Sequence, residues 1–147
     1  MINSLSRNIL KNWDTKNIPN LEGKTALITG SNSGLGYFTA KALAEKNCHV
    51  ILSCRTPEKS IATKNKLKKL IPQAQLSTIE IELSDFNKVS SKCDQISNEY
   101  ESLDLLINNA GIMHPPKTLN SQGYEIQFAV NHLSHMILTL KLIPLLE

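Results

Sequence analysis

The sequence predicts an α/β fold: a Rossmann-like, doubly wound parallel sheet, incomplete, with about four strands present and the C-terminal strands of such a sheet missing. Three observations predict it. Short apolar runs alternate with apolar stripes at spacings of three and four. A glycine-rich turn, Thr29-Gly30-Ser31-Asn32-Ser33-Gly34-Leu35-Gly36, joins the first run to the first stripe. Downstream, Asn108-Asn109-Ala110-Gly111 follows the last of the runs.

Residues 1–22 are polar and weakly periodic, and are expected to form an N-terminal extension docked by Trp13 and the Ile18-Pro19 turn. Residues 23–147 are expected to form one domain. Thr25-Ala26-Leu27-Ile28 is a buried strand ahead of the glycine turn. Leu35 to Lys46 reads as a helix with Leu35, Phe38, Ala42 and Leu43 on its inner face. His49 to Ser53 is a second strand. Thr56 caps the next helix, Pro57 suits its first turn, and Pro72 stops it after Ile71. Leu76 to Leu83 alternates as a third strand. Phe86, Val89, Cys93, Ile96 and Tyr100 make one helical stripe, and Asp85 starts that helix. Leu103 to Ile107 is a fourth strand. Ile126, Val130, Leu133, Ile137 and Leu140 make a last helical stripe within residues 124–143, perturbed at Pro144. Strands alternating with helices imply crossover connections and a parallel sheet.

Bulk properties narrow the function. The 147 residues are 41% hydrophobic and 20% charged, which excludes wholesale disorder. A net charge of +3 is too small to imply nucleic acid, and Lys59, Lys64, Lys66, Lys68 and Lys69 read as a solvated helix face. Cys48, Cys54 and Cys93 lack metal or redox spacing and are expected as buried or half-buried free thiols. No secretion signal and no membrane span are expected, so a soluble cytoplasmic protein is.

The glycine turn carries the first chemical expectation. Glycines let a backbone turn sharply and approach a pyrophosphate, and the helix that follows offers free N–H groups and a positive dipole end. The spacing is Gly30-x-x-x-Gly34-x-Gly36, and no Gly-Lys-[Ser/Thr] follows, so it is not a Walker loop. Gly30, Ser31, Asn32, Ser33, Gly34, Leu35 and Gly36 are therefore candidate nucleotide-binding residues. The second strand ends in Ser53-Cys54-Arg55, with no acid before Glu58. A guanidinium pairs with a 2′-phosphate where a carboxylate would take ribose hydroxyls, so Arg55 favours NADP, with NAD the lesser alternative.

Taken together, the glycine turn and Asn108-Asn109-Ala110-Gly111 make the chain resemble the short-chain dehydrogenase/reductase family over roughly residues 21–147. Cys54-Arg55 and Val130-Asn131-His132-Leu133 are similar to its retinol-dehydrogenase and protochlorophyllide-reductase-like branch. The resemblance implies a dinucleotide-binding domain and an oxidoreductase moving a hydride between nicotinamide and a small-molecule carbonyl or alcohol. It implies that Asn108 pins the fourth strand to its neighbours while Ala110 and Gly111 leave room for the cofactor. Glu82, before Leu83, stands where the family commonly has an Asp at the adenine pocket. Asn131 is assigned a supporting catalytic role, holding water and a lysine in a proton relay.

The family's catalytic Ser and Tyr-x-x-x-Lys are expected beyond Glu147, and this chain alone is expected to be inactive. Tyr37 and Lys41 have that spacing, but with Glu45 they fall on one line of the phosphate-loop helix and read as a solvated face with an ion pair. His132 and His135 lack a third ligand, so no metal is assigned. The last helix, left without packing partners, is expected to drive homo-oligomerisation. A non-catalytic nucleotide-binding remnant or partner-docking module is the alternative reading. The substrate is not legible beyond a hint of lipophilicity from the branch resemblance.

Overall fold

The computed structural model describes residues 13–146. Four strands form one sheet in the order β3-β2-β1-β4: β1 (Thr25–Thr29), β2 (His49–Cys54), β3 (Leu76–Glu80) and β4 (Leu105–Ile107). Every pairing is parallel, with Leu27 opposite both Ile51 and Leu106. Four helices connect or follow them: α1 (Gly34–Ala44), α2 (Pro57–Leu70), α3 (Phe86–Glu99) and α4 (Ile126–Leu146).

Side-chain alternation along β1 and β2 produces two cores. Ala26, Ile28, Val50 and Leu52 point to one face, where they meet Ala40 and Leu43 of α1 and Leu67 of α2. Leu27 and Ile51 point to the other, where they meet Val89, Cys93 and Ile96 of α3 and Leu138 and Leu142 of α4. The sheet is thus wound on both sides, as the sequence predicts. Each fully buried Leu or Ile contributes about 1.5–3 kcal/mol. The far end of the β1–β4 pair is closed by Asp104. Its carboxylate accepts from Lys24 Nζ and from the Thr25 amide, both at 2.8 Å. Those two donors, Lys24 first, hold the Asp104 carboxyl below its ordinary value.

Several local readings are corrected. Leu35 and Phe38 are 81% and 65% exposed, and the inner face of α1 is instead Gly36, Tyr37, Ala40, Leu43 and Ala44. The small residues let the start of the helix settle against the glycine turn, which bulkier ones could not do. Tyr37 is buried rather than solvated, with Lys66 Nζ of α2 4.3 Å from its ring centroid. Lys41 and Glu45 do form the expected pair, at 2.6 Å. Thr56 occupies the cap position of α2 without a side-chain capping bond. Asp85 caps α3, accepting from the amides of Asn87 and Lys88.

The N-terminal segment docks differently from the expectation. Trp13 is 55% exposed. Leu21 packs on the core instead, and its amide donates to Lys46 O at 2.7 Å. Residues 1–12 of the expected extension lie outside the described residues. All three cysteines are buried free thiols; burial, the largest cause for each, pushes Cys48 and Cys93 up to about 11.

The last helix departs most from its expected stripe. Ala129–Leu133 is a π-helical turn, closed by the Ser134 amide donating to Ala129 O. One extra residue in that turn shifts the phase of everything after it. Val130 is buried as expected, but the burial then steps to Ser134, Leu138 and Leu142, while Leu140 is 57% exposed. By length and composition Ile126–Leu146 also meets the measure of a membrane span, contrary to the expectation that no segment would. In this fold its inner side packs on α3 and β4.

Candidate functional site

A cleft of about 390 Å³ opens along the carboxyl ends of the sheet. Its walls come from the residues immediately following each strand. Gly30 and Asn32 follow β1, Ser53 to Arg55 close β2, Ile81 to Ser84 follow β3, and Ala110 to Ile112 follow β4. Ile126 and Val130 of α4 complete it. In an open parallel sheet this is where ligands bind, above all where the strand order reverses, here between β1 and β4.

Gly30 and Gly36 make that reversal possible. A Cβ on Gly30, whose φ is +64°, would lie 2.9 Å from Ala110 Cα. One on Gly36 would collide with the Asn109 side-chain amide and the Gly30 carbonyl. The turn is therefore packed backbone to backbone against the segment after β4. Polar bonds lock it there. Thr29 Oγ1 accepts from the amides of Asn109 at 2.9 Å and Ala110 at 3.0 Å. Asn109 Nδ2 donates to the carbonyls of Thr29 at 2.9 Å and Gly30 at 3.3 Å.

The expected site residues divide into three groups. Gly30, Asn32, Arg55, Glu82, Leu83, Ala110 and Gly111 come together around the cleft. Ser33, Gly34, Leu35 and Gly36 form the start of α1 beside it. Their contribution is backbone, since the first amides of a helix have no partner within it. Ser31 is buried and ties the turn to β2, donating through both N and Oγ to Ser53 O. Asn108 lies off the cleft. Its amide donates to Thr139 Oγ1 of α4 at 2.9 Å, so it pins β4 to the helix, while Asn109 pins it to β1.

Asn131 also lies off the cleft, within the π turn. Its amide makes a two-way clamp on one residue: Nδ2 donates to Ile112 O and Oδ1 accepts from Ile112 N, both at 2.8 Å. It therefore fixes the segment that follows Gly111. Glu82 Oε1 is engaged by the Ser84 amide at 3.1 Å and hydroxyl at 2.8 Å, which braces the turn after β3. Arg55 is exposed and is the one cationic side chain lining the cleft among the described residues. The cleft lies at the strand ends, whereas Tyr37 packs in the core between the sheet and the α1–α2 layer.

Sequence reasoning passed over Thr29, Asn109 and His135. Thr29 stands at the head of the glycine turn with no role given to its side chain, and His135 is weighed only as a metal ligand. Both side chains are buried and bonded to each other at 2.9 Å across 106 residues of sequence. The signal for Thr29 and Asn109 is positional: polar residues at the ends of two adjacent strands need partners where they pack together, and each is the other's. For His135 no local signal exists, because the π turn sets its direction.

Comparisons with known proteins agree with this geometry. The family model for short chain dehydrogenase matches residues 24–147. An uncharacterized oxidoreductase of Schizosaccharomyces pombe is 39% identical over 135 residues, covering 92% of this chain and 40% of that protein. Retinol dehydrogenase 14 of Mus musculus is 39% identical over 137 residues, covering 86% and 41%. The chain thus spans about two fifths of the length of these relatives. Among solved structures, an uncharacterized protein from Mycobacterium Paratuberculosis superposes with a TM-score of 0.80 at 36% identity, covering 90% of this chain and 46% of that one. A Pseudomonas aeruginosa RhlG/NADP complex does so at 0.72 and 26% identity, covering 86% and 47%.

The packing at Gly36 generates a specific expectation. Gly36→Ala forces the Asn109 side chain away from Gly30, an overpacking that costs about 1–3 kcal/mol. Dinucleotide affinity is expected to drop at least about tenfold, since 1.4 kcal/mol corresponds to that factor. Gly36→Ala binding as tightly as the parent in a fluorescence titration would show that the close approach is dispensable.

Proposed function

The chain belongs to the short chain dehydrogenase family of oxidoreductases, and from that premise we propose that it is the cofactor-binding part of an NADP-dependent enzyme acting on a carbonyl or alcohol. The observation that carries the reading is the cleft at the strand ends, lined by Gly30 and Asn32 of a glycine turn that packs backbone to backbone against Asn109 and Ala110 because neither Gly30 nor Gly36 has room for a Cβ. When bound, the nicotinamide supplies the hydride chemistry. The residues supply the holding. First-turn amides of α1, at Gly34 and Leu35, offer donors to phosphate oxygens. Arg55, at the end of β2, pairs with a 2′-phosphate. Glu82 and Leu83 border the adenine. Ala110 and Gly111 keep the path after β4 clear. Asn131 supports the site by fixing Ile112 and with it the wall beside the cofactor.

The polypeptide 1–147 is read as binding without turnover. Tyr37 and Lys41 do not serve as an acid–base pair, because Tyr37 is buried beneath Lys66 and Lys41 is paired with Glu45. A second reading, homo-oligomerisation or partner docking through α4, rests on a specific pattern. Phe128, Met136, Leu140 and Ile143 are exposed at spacings that align them along its outer side.

Three measurements test these readings. Arg55→Ala is expected to weaken NADPH binding about tenfold, the loss of a charge-assisted hydrogen bond of about 1.5 kcal/mol, with NADH unchanged. Equal losses for both dinucleotides would remove Arg55 from the 2′-phosphate. Carbonyl reduction assays on residues 1–147 are expected to give no turnover, and activity that disappears in Tyr37→Phe would overturn that reading. Leu140→Glu is expected to shift the chain toward monomer in light scattering; a parent already monomeric at high concentration would refute association through α4.

A further inference from the structure

One buried titratable group has no part in the mechanism above. His135 is 6% exposed and sits on α4 just past the π turn. Its Nε2 is 2.9 Å from Thr29 Oγ1 and its Nδ1 is 3.2 Å from the Asn131 carbonyl. A carbonyl only accepts, so Nδ1 carries the proton and Nε2 offers a lone pair. The Thr29 hydroxyl therefore donates to His135, and its oxygen keeps both lone pairs for the Asn109 and Ala110 amides. The opposite tautomer would bring a third donor to an oxygen with two lone pairs and lose the Nδ1 bond to the Asn131 carbonyl. Among the described residues, the one other acceptor in reach of the hydroxyl is Ile107 O, at 3.5 Å.

We propose that His135 is a positioning residue of the nucleotide site: as the neutral Nδ1–H tautomer it orients the Thr29 hydroxyl, and so holds Gly30 and Ala110 together beneath the cofactor. The proposal rests on the reading of the cleft as a dinucleotide site. His135 touches no cofactor. It acts through Thr29, and through the Asn131 carbonyl it joins the same unit to the π turn whose side chain clamps Ile112.

The arrangement tolerates one protonation state. Burial, the larger influence, lowers the His135 pKa from its ordinary 6.5, against the opposing effect of the Asn131 carbonyl. The groups facing it from β1 and β4 are Thr29 and Asn108, both uncharged. On its own helix the nearest titratable side chain is exposed His132, and the charges between α4 and α3 lie further along, at the Lys141–Asp94 pair. Because the folded pKa lies below 6.5, the unfolded chain takes the proton first. Stability linked to His135 is complete above about 6.5 and falls as pH drops through and below it. His49, lowered by burial and then Lys64, shares that window, so only a comparison of variants isolates His135. Asp85, Asp104 and Glu125, all lowered, lose their contributions only below ordinary values of 3.8 and 4.5.

The experiment is NADPH titration by fluorescence from about pH 5 to pH 8 on three chains, the parent, His135→Gln and His135→Leu. A glutamine amide oxygen can accept from Thr29 near the Nε2 position and does not titrate. The expected result is that His135→Gln retains most of the neutral-pH affinity and lacks an acid loss present in the parent. His135→Leu, with no acceptor, binds about tenfold more weakly at every pH. Ionisation of the 2′-phosphate is common to all three chains, so the differences report on His135. A folded Leu variant binding like the parent, or a Gln variant keeping the parent's acid loss, overturns the proposal. Should the Leu variant fail to fold, the parent–Gln comparison decides alone. A parent that binds neither dinucleotide overturns the cleft reading itself, and this inference with it.

Discussion

Two peptide N–H groups, of Asn109 and Ala110, converge on the hydroxyl of Thr29, and the rest of the site depends on that convergence. It brings the ends of β1 and β4 together where the strand order reverses. Without it the glycine turn would have no wall to lie against, and the crevice would be an open sheet edge. The constraint is steric as well as polar. Gly30 and Gly36 leave no room for a side chain, so the loop between them is shaped by the segment after β4 as much as by its own sequence. The free first-turn amides of α1 inherit their direction from this contact, because the helix begins within the same packed unit.

The sheet below is a rigid base for that contact. Its two cores are set by alternation in β1 and β2, so loss of either face would tilt the strand ends. At the opposite end, Asp104 bridges Lys24 and the Thr25 amide, fixing the register of β1 against β4 far from the cleft. The pair is thus tied at both ends by polar groups and in the middle by apolar ones. This division suits a binding site: burial supplies the stability, and directional bonds supply the position.

How much of this the sequence shows follows from whether the signal is local. β1 and β2 were legible because a doubly buried strand reads as a continuous apolar run. α3 was legible because Val89, Cys93 and Ile96 keep one helical phase against one neighbour. The inner face of α1 was misread because its contacts demand small residues, so apolar size pointed outward, to Leu35 and Phe38. Gly30 and Arg55 are legible at the cleft because they stand directly after strands, and Ala110 because it follows β4 within a recognisable motif. The resemblance gives the strand-pinning role to Asn108 alone, whereas the structure divides it, with Asn108 facing α4 and Asn109 facing β1, a one-residue difference at a strand end that no local pattern decides. The Thr29–His135 bond was out of reach, because its two partners are brought together only by the folded sheet and a turn that breaks helical periodicity.

That turn settles a choice the helix could not make for itself. α4 carries two apolar stripes. One runs through Val130, Leu138 and Leu142 and is buried; the other, through Phe128, Met136, Leu140 and Ile143, is turned outward. Hydrophobicity alone does not rank them. The wide turn at Ala129–Leu133 contains Asn131, clamped to Ile112, and is followed by His135, bonded to Thr29. The rotational setting of a largely apolar helix is thus decided by a few polar atoms at its start. A loss of those atoms would be felt as a change in which side of the helix the molecule shows to its surroundings, not as a weaker core.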